Sequence, residues 1–305
     1  MKIVTLKDID LISSTIPEDR YHGVATADGE WSAGSYDVGD VVYYSGATPH
    51  KVYQSIASSN TATPGTDVTK WTELGATDRW AIFDEYLNTQ SYDPAFFSVS
   101  VDAADCDYAG VFNCDATSIT FSLYDGGSLI TSDEINLDAS NPMDYDEWFF
   151  WPSDYKRKAV WQFPQYSSGT TILTVTFTNT LGVARCGAMG VGKAYEIGGT
   201  LYDPEIGFND YSYKYENETT GAVKFIKGNY SDVGTFKVWL LNRRVDMAMR
   251  RLIDNRGKMA IYDFNNTGVT EEYESFVFYG FPSRPRITVQ GPSMSRLNFV
   301  IRGMI

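Results

Sequence analysis

Apolar and polar side chains alternate along much of the chain in short stretches with a period close to two. Phe97 to Val101, Ser118 to Tyr124, Thr171 to Thr178 and Glu274 to Tyr279 each alternate or run apolar for a strand's length, with Gly, Asp, Asn or Ser clusters at their ends. Asp125-Gly126-Gly127-Ser128, between two such runs, predicts a tight hairpin, because glycine takes the positive φ that a short turn requires. One segment predicts a helix, about Phe236 to Ile253, which Gly and Pro do not interrupt and which Asn255 and Gly257 would end. Within it Leu241, Val245, Ala248 and Leu252 recur at i, i+4, i+7 and i+11, an apolar stripe suited to lie on a sheet. From Arg286 to Ile305 the alternation runs to the last residue, which predicts a docked strand, in this chain or in a neighbour.

The predicted fold class is therefore mainly β. A small three-stranded N-terminal module, a central antiparallel jelly-roll-like β-sandwich and a C-terminal α+β module with one helix are expected in that order. Composition places the boundaries after Gly75 and near Gly198-Gly199, which gives residues 1–77, 78–198 and 199–305.

Composition narrows the function classes. Hydrophobic residues make up 43% of the 305-residue chain and charged residues 21%, values of a chain that folds rather than of a disordered one. Lys plus Arg number 25 against 39 Asp plus Glu, a net charge of −14 that repels a phosphate backbone, so nucleic acid is not an expected partner. No stretch approaches the roughly 18 uncharged apolar residues of a membrane span, and the first twenty residues lack a continuous signal-peptide core. Neither membrane insertion nor secretion by such a signal is expected. Cys106, Cys114 and Cys186 are an odd number in a long chain and read as reduced, with a Cys106 to Cys114 bridge as the alternative.

One stretch carries a family resemblance. Trp31, Tyr36, Gly39, Asp40, Val41, Tyr43, Tyr44 and Gly46 are followed by Val52-Tyr53-Gln54-Ser55, Asn60, Pro64 and Trp71. Over about residues 29–75 this order resembles the small chitin-binding modules of bacterial chitinases, a compact three-stranded fold. The resemblance implies that Gly39 and Asp40 make the turn into a strand, and that Trp31, Tyr36 and Trp71 form a core too small for aliphatics alone. The tandem Trp pair with which such modules stack sugar is replaced here by Ile56-Ala57-Ser58-Ser59. Tyr44 and Tyr53 are the remaining candidates for stacking a sugar, or else they pack the sheet. The same segment followed by Gly75-Ala76-Thr77-Asp78-Arg79-Trp80-Ala81-Ile82-Phe83-Asp84 is similar to tail proteins of tailed bacteriophages, in which such a module is joined to β-rich assembly domains. The middle module resembles galactose-binding jelly rolls in architecture, with the long strand Thr171 to Thr178 followed by a returning strand, Cys186 to Tyr195.

Chemistry is sparse. His22 and His50 are the two histidines, in no metal-ligand spacing, and there is no Gly-x-Ser-x-Gly elbow, P-loop or zincin helix. Asp144, Asp146 and Glu147 are carboxylates of the kind glycoside hydrolysis uses, though an acidic chain clusters them by chance. Asp102, Asp105, Asp107, Asn113 and Asp115 invite calcium, against the plainer reading of a solvated turn. Neither enzyme activity, a cofactor nor a metal is expected.

Two features point to assembly. Trp148-Phe149-Phe150-Trp151 cannot all face one side of a period-two strand, so a neighbouring domain or subunit buries the segment on both sides or part of it is exposed for binding. Arg243, Arg244, Arg250 and Arg251 make a positive patch beside the predicted helix, either solvated or docked against an acidic neighbouring subunit. With the resemblance, these imply a structural virion protein of a phage tail tip or baseplate, assembled in the host cytoplasm. Its expected partners are copies of itself, other tail proteins and host cell-surface polysaccharide. The alternative is a free carbohydrate-binding protein using Tyr44, Tyr53 and exposed members of the 148–151 cluster.

Overall fold

The computed structural model describes residues 1–84, 86–138, 145, 149, 155–216, 223–266 and 273–304. The protein is mainly β, as the alternation requires. It divides into two compact units, one formed by Met1–Lys7, Cys106–Tyr108 and the chain from Gly190 onward, the other by Asp8–Asp105 and Ala109–Met189. This division is not the expected series of three consecutive modules. The first strand, Lys2–Leu6, lies between Ala188–Glu196 and Ala260–Asp263, antiparallel to both, so the beginning of the chain belongs with its end. Ile3 and Val4 are both fully buried, as adjacent residues must be when a strand is covered on both faces.

The unit formed by residues 8–105 and 109–189 holds the sandwich. Its five-stranded antiparallel sheet runs in the order Ser128–Asn136, Ser118–Asp125, Thr171–Cys186, Ser91–Asp102, Leu11–Ser14. Leu173, Val175 and Phe177 face inward with Ile119, Phe121 and Leu123 on one side and Phe97, Val99 and Val101 on the other, and all are essentially without solvent contact. Phe97 and Phe177 sit opposite each other and stack at 4.6 Å. Each such ring contributes about 2 kcal/mol by burial. The facing layer contains Tyr108–Phe112 beside Lys158–Gln162, and Phe121 stacks on Trp161 across the layers at 5.6 Å. The hairpin forms at Asp125–Ser128, with φ of 56° at Gly126 and 83° at Gly127, the pair of positive values that suits the twist of the flanking strands.

The three-stranded module lies in this same unit. Val41–Tyr44, Lys51–Ser55 and Trp71–Ala76 pair antiparallel, and Val42, Tyr53 and Trp71 form its core with Trp31, Tyr36, Tyr44 and Ala62 packed against them.

In the other unit the strands run Ala188–Glu196, Lys2–Leu6, Ala260–Asp263, Val277–Val289, Met294–Gly303, Tyr230–Leu241, with Gly199–Thr200 and Glu205–Asp210 both pairing the last. The predicted helix over Phe236 to Ile253 is corrected here. Phe236, Val238 and Leu240 are fully buried and alternate with Lys237 and Trp239 in a strand, a 3₁₀ turn covers Asn242–Arg244, and the α-helix is Val245–Asp254. The residues before Asn242 have period two, and pairing Phe236 with Phe299 in the ladder outweighs their helix propensity. Val245, Ala248 and Leu252 keep the expected stripe and pack on the core, while Leu241 ends the strand. Asn255 caps the helix and Gly257 takes a φ of 72°. The predicted C-terminal strand over Arg286 to Ile305 is corrected: Arg286–Val289 end the strand Val277–Val289, and Met294–Gly303 docks within this chain between that strand and Tyr230–Leu241. Glu274 to Tyr279, predicted as strand, opens with a 3₁₀ turn at Glu274–Phe276.

Candidate functional site

The module residues come together as the resemblance implies for a core. Trp31 meets Tyr44 edge-on at 5.7 Å, Tyr36 meets Trp71 at 5.5 Å, and the Trp71 indole N–H donates to the Ala62 carbonyl at 2.8 Å. Gly39 has a φ of 103°, and the Asp40 carboxylate accepts from the Asp37 amide at 2.7 Å, which shapes the turn into Val41–Tyr44. Tyr53 is 7% exposed, and its ring is part of this core. Burial pushes its phenol up from the ordinary value, with the Glu73 carboxylate adding to that. As a platform for a sugar ring Tyr53 is therefore corrected to a packing residue, and Tyr44 is half-buried against Trp31.

The segments on either side of the module are tied by charge. Arg20 donates to Asp78 at 2.9 Å and to Asp93 at 3.0 Å, and the Asp78 carboxylate also accepts from the Gly23 amide at 2.8 Å. Glu18 pairs with Arg79 and meets His50 Nδ1 at 2.5 Å, and the His50 ring lies 4.6 Å from that of Trp80. His50 is thus engaged with a carboxylate and an indole, and His22 packs on Tyr21.

The acidic run does not converge. Asp102 accepts from the Ala104 amide, Asp105 from the Ser167 hydroxyl, Asp107 from the Ala194 amide, and Asp115 from Asn179. No group of three or more His, Cys, Asp or Glu residues with metal-ligand geometry exists among the described residues. Asp144, Asp146 and Glu147 lie outside the described residues.

The arginine patch divides. Arg251 stacks over the Tyr195 ring at 3.8 Å and pairs with Asp254 at 3.3 Å, and Arg244 donates to the Glu196 carbonyl at 3.2 Å. Arg243 and Arg250 are exposed. Half of the expected docking patch is therefore committed within the chain, since Arg251 of the helix and Arg244 of the 3₁₀ turn both reach the strand Ala188–Glu196. Of the aromatic cluster, Trp148, Phe150 and Trp151 lie outside the described residues. Phe149 has helical backbone, is 61% exposed, and stacks with Tyr145 at 6.0 Å, one helical turn away.

A broad display of exposed aromatics lies in a segment that no motif marks. Tyr213–Glu216 and Val223–Ile226 form a two-stranded hairpin exposed along nearly its whole length, next in the chain to the strand Glu205–Asp210. Tyr202, Phe208, Tyr213, Tyr215, Phe225 and Tyr230 are each more than half exposed. The signal that could have found them is Tyr211-Ser212-Tyr213-Lys214-Tyr215, an alternation that suits a strand with an apolar face. The structure leaves both faces of this hairpin uncovered among the described residues, with Tyr213 and Tyr215 on one and Phe225, which pairs with Lys214, on the other. Glu205–Asp210 pairs with Tyr230–Leu241 alone, so its other edge presents unpaired backbone groups, again among the described residues.

No helix among the described residues is long and apolar enough to cross a membrane. Comparison of the chain with family models, with characterised proteins and with solved structures returned no match.

Proposed function

We propose that this chain is a non-enzymatic structural protein of a bacteriophage tail tip or baseplate, which assembles in several copies in the host cytoplasm and becomes part of the virion. The observation that carries the reading is the set of exposed aromatics Tyr202, Phe208, Tyr213, Tyr215, Phe225 and Tyr230, next in the chain to a strand edge that is unpaired among the described residues. Exposed aromatic rings in this number cost solubility unless another surface covers them, and a free edge gives that surface backbone groups to pair with. The placement in a tail rests on the resemblance of residues 29–84 to phage tail proteins. Other tail proteins are the further partners.

The N-terminal module serves in this reading as a compact scaffold. Tyr53 is buried and Tyr44 packs on Trp31, so any contact with host polysaccharide falls to other rings.

Light scattering on the purified protein, with a chitin and cell-wall pull-down on the same sample, tests the proposal. A mass of several copies without retention on glycan is the expected result. A strict monomer at high concentration that is retained on polysaccharide would overturn it in favour of a carbohydrate-binding protein.

A further inference from the structure

Cys114 and Cys186 are 72 positions apart in sequence and face each other inside the sandwich unit. Asp115 and Arg185 exchange both backbone hydrogen bonds at 2.9 Å, and the Gly187 amide donates to the Asn113 carbonyl at 3.2 Å. These bonds set Cys114 opposite Cys186 at the intervening position, where the two residues share no backbone hydrogen bond. Side chains approach most closely at such positions, and the Cα separation there, roughly 4.5 Å, falls within the range a disulfide spans. The Cys114 thiol donates toward Cys186 Sγ at 3.5 Å, so the side chains already point at each other. The expected alternative, a Cys106–Cys114 bridge, is not formed: all three cysteines are buried thiols.

We propose that Cys114 and Cys186 are a redox site, converted by a peroxide into a cross-strand disulfide. One thiol, as thiolate, attacks a peroxide oxygen and becomes a sulfenic acid, releasing water. The sulfur of the second attacks the sulfenic sulfur, the S–O bond breaks, and the hydroxide leaves with the second thiol's proton as another water. Two thiols and one hydrogen peroxide thus give one disulfide and two waters, with sulfur oxidised and peroxide oxygen reduced. The two thiols are 3% and 0% exposed, which favours an oxidant little larger than water, admitted by local opening. The bond would tie the end of the Thr171–Cys186 strand to the turn before Ser118–Asp125, closing a long loop, the kind of cross-link that most restricts the unfolded chain. The site is independent of the assembly reading.

The test treats the native full-length protein with hydrogen peroxide, then denatures, alkylates and maps the peptides. The expected result is a loss of two hydrogens, a Cys114–Cys186 linked peptide, and alkylation of Cys106 alone. A melting temperature higher by about 5–10 °C, reversed by dithiothreitol, should accompany it. Cys106→Ala should keep the link and Cys186→Ser should lose it. Alkylation of all three cysteines after treatment, a link that includes Cys106, or sulfinic acid on Cys114 without any link would each overturn the proposal. The mapping is done on the unsubstituted protein, so it decides the question even where a variant fails to fold.

Discussion

Arg20 donates its Nε to Asp78 at 2.9 Å while both side chains are largely withdrawn from water, 15% and 5% exposed. Asp78 follows the third strand of the N-terminal module, and Arg20 precedes the module, so this pair closes the ring of chain around it. Removing one partner of such a pair leaves the other charge desolvated. Asp78→Ala should therefore cost about 3 kcal/mol, read as a fall in the urea midpoint without a change in slope. A cost within about 0.5 kcal/mol, the range of an ordinary surface substitution, would show that Asp93 and the Tyr92 carbonyl are enough to hold Arg20.

Tyr53 offers a test of the module's role. Tyr53→Ala empties a buried ring site and should destabilise by about 3 kcal/mol, whereas Tyr53→Phe keeps the volume and should cost under about 1 kcal/mol. Thermal melts of the two variants check this. Glycan retention, measured on both, should not distinguish either from the parent protein.

The exposed aromatics predict a separation of assembly from stability. Tyr213→Ser with Phe225→Ser alters residues that are 59% and 78% exposed, so the folded protomer should change by no more than about 0.5 kcal/mol. The mass by light scattering should nonetheless fall toward the monomer. If the multimer persists, these aromatics are not its interface.

Asp125, at the start of the hairpin turn, accepts from the Thr170 hydroxyl at 2.9 Å, and this bond, followed by that of Ser168, holds its carboxyl below the usual carboxylate range. The folded state therefore holds its proton less tightly than the unfolded chain does. The contribution is present at neutral pH and is lost as pH falls below the ordinary carboxylate value and through the depressed one. Carbon NMR titration of Asp125 should show the lowered midpoint, and Thr170→Val should move it back up. An unchanged midpoint in that variant would mean that Thr170 does not hold the charge.

Local pattern carries the fold class a long way. Thr171 to Thr178 alternates because one face packs on Phe97, Phe121 and their neighbours while the other meets polar surroundings, and a half-buried strand writes that difference into every second residue. Gly126 and Gly127 announce their turn because the positive φ needed there is a property of the residues themselves. The helix is legible only where its stripe meets the core. Phe236 to Leu241 carries an apolar content suited to either helix or strand, and the ladder with Met294–Gly303 decides between them.

The amino-acid sequence by itself determined the mainly β class, the hairpin and the end of the helix at Asn255, since each follows from short-range periodicity or turn chemistry, while the aromatic core of the N-terminal module was legible only through the resemblance of residues 29–75. Tertiary structure alone decided that Lys2–Leu6 joins strands from far along the chain, that Tyr53 is buried while Phe225 is exposed, and that Cys114 faces Cys186. These depend on which distant strand lies alongside and on what covers each face. Pairing and burial are set by the free energy of the assembled sheets, which a window of a few residues does not contain.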